Sequence, residues 1–578
     1  MNLRDAERQE VIDIEKQIDS DFHKLPFPHG DHAVSKWHLL IALEDGLRNA
    51  LWMLTRNLRV EDMDVELSGF NLLVDRSKYS LRYGLERIYR EQPLTAITPA
   101  KQVVIPAAYE AAASFIKTGD DYLLASRAFG SYHAGTANAM RSPSGHILVL
   151  GSPHSTLAYS ALDLFIHGQH DAGTPLLALI RAFIRPESPD LYISELVRQT
   201  RLIGEHVTYR FNPYVCNQLM RSIPNPSTIV PDGWVFPWGG SVNAHRVFEA
   251  LNARCLFHLL SIHFGALRFG IRGLGLADVC PLVLKSQLIS ELSDITGINQ
   301  ADVSLTLDAL AYGTGTETPD PALQPLIPFS EAQVVAPTLL ILSSNYPRNY
   351  LALHARVGSR SFDEQSELFE VGMSNRVELA IKQRFARIRM HEYLPTRRDV
   401  GEVDLLVADE QSQTILIGEL RWLLQPGDPR EVNNRNKVCA EKVAQVKRKY
   451  EAAREIIALI LRLLGVNGDP QLWDVVAVVI VEGYVAAGPE PERFPVVPLR
   501  IFELGLIYCN GLMNLHRWLA SHVWLPQKGS HFVSSPVTAR FGRQRLQWGG
   551  FHILHNSRYL PDYIVKTATS FDISAPKT

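Results

Sequence analysis

Two acidic side chains set into apolar runs are the residues of this sequence best placed to do chemistry. From Gly401 the chain reads Gly-Glu-Val-Asp-Leu-Leu-Val-Ala-Asp, then a polar Glu-Gln-Ser-Gln-Thr stretch, then Ile-Leu-Ile-Gly-Glu-Leu-Arg-Trp ending at Trp422. Two apolar runs of strand length flank a turn-forming cluster, so the segment predicts a β-hairpin or two neighbouring strands of one sheet. Side chains alternate faces along a strand. Glu402 and Asp404 therefore share one face of the first run, and Ile415, Ile417, Glu419 and Arg421 share one face of the second. Pairing the strands brings Asp404 toward Glu419. Two carboxylates held close repel each other and lose hydration, and a divalent cation with hard oxygen ligands offsets both effects. The expectation is a site for Mg2+ or Mn2+. A plainer reading is a sheet-edge hairpin with solvated acids, in which Glu419 pairs with Arg421 or a nearby lysine at little energetic gain. The apolar neighbours of both acids, Leu405-Leu406-Val407 and Ile415-Leu416-Ile417, favour carboxylates at the end of a buried sheet.

The elements that must position these acids are legible on either side. Upstream, Ser374 to Met390 predicts a helix with Val377, Leu379, Ile381, Phe385 and Ile388 as its apolar positions and Glu378 among them. Downstream, Lys437 to Leu464 is a long helical stretch in which Lys442, Gln445 and Lys449 fall on one face. Val475 to Val481 and Val496 to Phe502 are strand-like, and the Pro-rich stretch Gly488 to Pro498 reads as the loop between them. The order helix, strand, strand, helix, strand, strand, helix, with Asp404 on one strand and Glu419-Leu420-Arg421 closing the next, resembles the PD-(D/E)XK nuclease superfamily, the restriction-endonuclease-like fold. The resemblance covers roughly Gly372 to Ser521.

That resemblance implies a metal-dependent nuclease acting on DNA, with RNA as the alternative substrate. It implies that Asp404, Glu419 and the Leu420 carbonyl bind Mg2+ or Mn2+, that Glu378 adds an acid from the first helix, and that Gln445 and Lys449 face the metal. The family carries Lys where this chain has Arg421. Arginine stays protonated, so it stabilises an anion but does not act as a base. Three readings stay open: Arg421 is a purely electrostatic partner, the lysine has moved to the following helix at Lys442 or Lys449, or catalysis is lost and the scaffold kept. A role in restriction or anti-phage defence is an analogy at the level of fold. The alternative from another class is a degenerate nuclease-fold scaffold that binds nucleic acid or a protein partner.

At 578 residues the chain exceeds one typical domain. The expected organisation is a mostly α-helical N-terminal region (1–240), a helical, winged-helix-like middle region (241–360), an α/β restriction-endonuclease-like domain (361–525) and a C-terminal extension (526–578). A net charge of −3 excludes a protein that binds polyanions by overall charge, so contact with nucleic acid requires a local patch. Arg384, Arg387 and Arg389 on the first helix of the nuclease-like part, with Arg397, Arg398, Lys447, Arg448 and Lys449, form one candidate patch, although a solvated helix face explains such charges equally well. The five cysteines are scattered without a Cys-X-X-Cys pair, which excludes the common zinc-finger spacings. The charged N-terminus lacks the apolar core of a signal peptide, and no apolar run is long enough to cross a bilayer; the expectation is a cytoplasmic protein without membrane association.

Ahead of the nuclease-like part the signals concern packing. Asp5–Ile18, Val34–Leu58, Ala107–Ile116 and Leu157–Ile166 predict helices, and the helical region is the candidate surface for a protein partner. Asn212 to Gly240 reads as a structured loop ending in Trp234-Val-Phe-Pro-Trp238, followed by an apolar helix from His245 to Phe264. Its His258 and His263, five apart, make a poor metal pair. Leu288 to Leu310 has the rhythm of a helix-turn-helix, with Gly297 at the turn and Asn299 as cap, and Gln324 to Leu342 could supply wing strands. The second helix carries Asp302 and Asp308 with no Lys or Arg, so a structural helical hairpin is favoured over a reader of the major groove. Gly270-Ile-Arg-Gly273-Leu-Gly275 and Ser152-Pro-His154-Ser155 lack the order or context of a dinucleotide loop and a hydrolase elbow.

Overall fold

The computed structural model describes residues 3–28, 32–57, 63–91, 103–133, 137–142, 148–151, 154–171, 174–184, 192–204, 206–223, 230–271, 275, 278, 280–426, 429–484, 493–554 and 560–571. Gly273, Ser152 and the first part of the Pro-rich stretch, residues 488–492, lie outside the described residues.

The first part of the chain is largely helical. Its elements are α1 (Leu3–His23), α2 (His32–Asn57), α3 (Met63–Glu91), α4 (Pro106–His133), β1 (Asn138–Arg141), β2 (Leu148–Gly151), α5 (His154–Asp171) and α6 (Thr174–Ile184). There follow α7 (Ile193–Arg198), β3 (Thr200–Ile203), β4 (His206–Tyr209), α8 (Pro213–Ser222), a tight hairpin of β5 (Val235–Phe236) and β6 (Gly239–Gly240), and α9 (Ser241–Arg268). Trp37, Leu40, Leu43, Leu47 and Leu51 of α2 are buried, as their helical spacing predicts, in a core shared with α9. His258 of α9 is a core histidine, bonded to the Tyr209 hydroxyl at 2.8 Å and to the Asp278 carbonyl at 2.6 Å.

The middle part runs β7 (Leu282–Leu284), α10 (Lys285–Thr296), α11 (Gln300–Ala309), β8 (Ile327–Pro328), β9 (Gln333–Val335), α12 (Thr338–Leu342) and α13 (Tyr346–Val357). Gly297 ends α10 in the left-handed region at φ 72°, and the Asn299 side chain caps α11 through the Asp302 amide. The three strands pair antiparallel in the order β7-β9-β8. Lys285 pairs with Asp308, so one of the acids that spoil α11 as a groove reader is held within the hairpin itself.

This part is tied to the first by a buried acid. Glu44 of α2 is fully buried and accepts the backbone N–H groups of Leu339 (2.8 Å) and Leu340 (2.9 Å) at the start of α12, with the Thr338 hydroxyl at 3.2 Å. Amides at a helix start lack intrahelical partners, and a remote carboxylate supplies one. Burial nevertheless dominates and pushes the Glu44 pKa up to about 7.

The third part holds the acids singled out above. It comprises α14 (Ser359–Lys382), β10 (Arg387–Tyr393), β11 (Glu402–Asp409), β12 (Thr414–Trp422), α15 (Pro429–Glu455), α16 (Ile457–Leu464), β13 (Asp474–Glu482), β14 (Val496–Pro498), α17 (Leu499–Tyr508) and α18 (Gly511–Ser521). The five strands form one sheet in chain order, antiparallel from β10 to β12 and parallel from β12 to β14. α15 and α16 make the crossover that a parallel β12–β13 pair requires. β13, Asp-Val-Val-Ala-Val-Val-Ile-Val-Glu, is apolar on both faces because both are covered: α14, α17 and α18 on one side, α15 and α16 on the other.

Two expectations are corrected here. The helix expected to reach Met390 stops at Lys382, and Arg387–Tyr393 is a strand. Phe385 and Ile388 continue the helical spacing, but from Arg387 exposed and covered residues alternate with period two, and pairing with β11 wins. Arg387 and Arg389 therefore lie on a strand, not on a helix, and three members of the expected basic patch are engaged elsewhere: Arg387 pairs with Glu410, Arg397 with Asp399 and Glu455, and Lys449 is buried. Likewise Val496–Phe502 is a strand only to Pro498, whose ring ends the ladder and leads into α17.

The C-terminal residues add β15 (Phe532–Phe541), β16 (Gln544–Ile553) and α19 (Leu560–Thr569). The β15–β16 hairpin extends the sheet begun by β1 and β2 far upstream, in the order β1-β2-β16-β15. Among the described residues the protein is thus a mixed α/β assembly of several parts, and no helix is long and apolar enough to cross a membrane.

Replacing Glu44 with Ala leaves two buried amides unpaired and is expected to lower stability by about 2–4 kcal/mol in urea unfolding, since each such group forfeits its hydration. Because the folded pKa is raised, the neutral form's contribution is complete below the unfolded value, 4.5, and is lost as pH rises through about 7. Glu44→Gln is therefore expected to flatten the fall in stability between those two pH values.

Candidate active site

The site lies where β11 and β12 part. Their ladder runs from Asp409↔Thr414 to Leu405↔Gly418 and stops, although both strands continue. Asp404 and Glu419 would form the next pair. Instead the Asp404 side chain enters the gap and its Oδ2 accepts the Leu420 N–H at 2.7 Å. Leu420, expected to lend its carbonyl, is thus seen to engage Asp404 through its amide.

Glu419 faces α15 and is fully buried, its side chain only 1% exposed against 18% for Asp404. Lys449 donates to Glu419 Oε1 and also to the Glu402 carbonyl. Lys442 sits 3.1 Å from Glu419 Oε2 and 4.0 Å from Asp404 Oδ2. Burial, then the charge of Asp404, raise the Glu419 pKa, and the two lysines oppose that shift. Without them a carboxylate at this depth would lose several kcal/mol of hydration uncompensated. Gln445, between the two lysines on α15, is half-buried.

The helix-borne lysines anticipated as one of three readings are therefore on Glu419, and Arg421 is not. Arg421 pairs with Glu370 of α14, and beside it Trp422 stacks on Phe369 at 4.1 Å. Its Nε is buried without a partner. The expected acid of the first helix, Glu378, pairs with Lys382 one turn along at 2.6 Å, and the helix acid that meets β12 is Glu370.

On the open side of Asp404 the structure gathers groups that sequence reasoning missed. His391 of β10 is opposite Asp404, at the one position where the β10–β11 ladder lacks its pair, between Met390↔Leu405 and Glu392↔Val403. Its φ of 52° is unusual for a non-glycine residue. Nδ1 lies 2.9 Å from Glu402 Oε1 and Nε2 lies 2.8 Å from Ser374 Oγ on α14. Nitrogen and carboxylate atoms of His391, Glu402 and Asp404 all lie within 4.8 Å of one another. No local pattern marks His391, because it sits on a strand whose start the sequence reads as helix, and its place depends on the register of that strand with β11.

The arrangement offers oxygen and nitrogen donors for a cation, two ammonium groups for an anion, and a partly open face at Asp404. No protein-family model, curated protein or solved structure matches this chain.

Lys449→Met removes one partner of a buried charge and is expected to destabilise the protein by about 3–5 kcal/mol in urea unfolding. Adding Glu419→Gln should recover part of that loss, and failure to recover any would show that the two side chains do not act as a pair.

Proposed function

We propose that residues 359–521 form a metal-dependent nuclease of the PD-(D/E)XK, restriction-endonuclease-like type that hydrolyses phosphodiester bonds of DNA. The observation that carries this reading is the break in the β11–β12 ladder, where Asp404 and Glu419 meet two lysines from the crossover helix. The reading is supported by the run α14, β11, β12, α15–α16, β13, β14, α17, which follows the order the resemblance implies except for β10 inserted after α14. The third antiparallel strand stands where a longer first helix was expected.

The residues present suit a hard divalent cation such as Mg2+ or Mn2+: Asp404 and Glu402 supply carboxylate oxygens on the open side. When bound, the ion would polarise the phosphate and lower the pKa of water. Asp404 is held in orientation by the Leu420 amide. Lys442 and Lys449 bring positive charge to the developing negative charge on phosphate oxygens, the part the family gives to one lysine of the strand. Glu419 keeps both lysines in place and has an oxygen for an ion only once Lys442 releases it. Gln445, between the two lysines on α15, would orient water or a phosphate oxygen, and Arg421, paired with Glu370, would contribute charge. Restriction or defence is the cellular role this chemistry would serve.

One observation favours a second reading. Glu419 is closed from solvent and both its oxygens face ammonium groups, as expected if the lysines have replaced the ion for good and the domain is a scaffold for nucleic acid or a protein partner.

Cleavage of pooled single- and double-stranded DNA and RNA with Mg2+ or Mn2+ separates the two. The nuclease reading expects Asp404→Asn to lower the rate by at least about 100-fold with its unfolding curve unchanged, and Lys442→Ala to lower it by a smaller factor with some loss of stability, since Lys442 also pairs with the buried Glu419. The scaffold reading expects no cleavage by the unaltered protein and salt-sensitive nucleic-acid binding that survives Asp404→Asn.

A further inference from the structure

We infer that His391, Glu402 and Asp404 form a mixed nitrogen–oxygen cation site that selects a transition-metal ion over Mg2+, with His391 as the selecting ligand. The inference names the ion for the site just proposed and takes its catalytic role from that reading, but the site's existence can be tested without any cleavage.

The argument starts from the donor set. Mg2+ and Ca2+ are held almost wholly by oxygen, whereas an imidazole nitrogen raises affinity for Mn2+ and the heavier divalent transition metals. Here one imidazole nitrogen and two carboxylate oxygens come within 4.8 Å of one another, close to the roughly 4–4.6 Å between opposite ligands of one transition-metal ion, so a small side-chain rotation gathers all three. His391 is also held in the way metal-ligating histidines usually are. Such a histidine directs its second ring nitrogen to a fixed partner that sets the tautomer. Nε2 meets Ser374 Oγ at 2.8 Å, and Ser374 is buried on α14. Without an ion, Nδ1–H donates to Glu402 at 2.9 Å and Nε2 accepts from the Ser374 hydroxyl. A cation would displace that Nδ1 proton, with Nε2–H then donating to Ser374 and the Nδ1 lone pair turned to the ion between Glu402 and Asp404.

The backbone points the same way. A left-handed residue in the middle of a strand gives up a ladder pair, and here the strand resumes its register directly afterwards. The irregularity therefore re-aims one side chain without shifting β10. Ser374 is a positioning residue for His391, and Glu402 reaches the same place because it shares a strand face with Asp404.

The test uses the full-length protein, with Mn2+ and Mg2+ as probes in calorimetry and pulsed EPR of bound Mn2+. Unaltered protein is expected to bind Mn2+ at least about 10-fold more tightly than Mg2+ and to show modulation from a directly bound nitrogen. His391→Asn, which keeps a residue tolerant of the left-handed backbone, should abolish the nitrogen signal and bring the two affinities together. Ser374→Ala should weaken Mn2+ binding about 10-fold while retaining the nitrogen signal. The inference is overturned if the unaltered protein binds neither ion, if Mn2+ binds without a nitrogen signal, or if His391→Asn leaves the Mn2+ preference intact. A nitrogen-ligated Mn2+ in a protein that cleaves nothing upholds the metal site and rejects the nuclease. Mg2+-supported cleavage that needs Asp404 but ignores His391 does the reverse.

Discussion

The pairing of the buried Glu419 carboxylate with Lys449 is the constraint on which the site depends. A strand pair that stops bonding in mid-sheet leaves amides, carbonyls and, here, acids in a low-dielectric gap. Lys449 spans that gap, bonding the Glu402 carbonyl on β11 and the Glu419 carboxylate on β12. Asp404 closes the same opening from the other side by accepting the Leu420 amide. The lost ladder is replaced by charge-assisted bonds, which are stronger than neutral ones. The opening that exposes Asp404 is thus held by the contacts that bury Glu419.

Rigid surroundings keep the gap in place. Apolar layers cover both faces of the five-stranded sheet, and α15 is fastened by Val446, Tyr450 and Ala453 on the side that delivers the lysines. α14 borders the site with Ser374 and Glu370 and also reaches into the helical part. Its Phe369 stacks on Trp422 and packs against Trp234 of the β5–β6 hairpin, whose indole N–H donates to His354 at 3.1 Å. An aromatic chain therefore runs from the buried helices to the strand that carries Glu419, so the site and the helical part share packing.

Much of this was legible from residue types. Asp404 and Glu419 stand out because acids in apolar strands require an explanation, and hairpin pairing sets them side by side; the ladder stops one pair short of them and their side chains take different partners. Lys442, Gln445 and Lys449 share a helical face by spacing alone. The segment from Phe385 to Met390 misleads because Val377, Ile381, Phe385 and Ile388 satisfy a helical period while Arg387 to Tyr393 satisfy a strand period. Only a partner strand decides between them. That single ambiguity hides β10 and, with it, His391. Glu370 and Glu378 illustrate a second limit: both are acids on one helix, and the choice of which meets β12 depends on the helix's placement against the sheet.

Local chemistry, written in the order of residues, determined that two acids would stand in otherwise apolar strands, that a lysine-bearing helix would follow, and that the first part of the chain would be helical, because periodicity and propensity act over a few residues. Tertiary structure decided which charges pair, that Glu419 is sealed while Asp404 stays partly open, that Arg421 turns to Glu370, and that His391 joins Glu402 and Asp404. Those outcomes depend on burial and on distances between residues far apart in the chain, and an ammonium or carboxylate has a partner only when another element places one within a few ångströms.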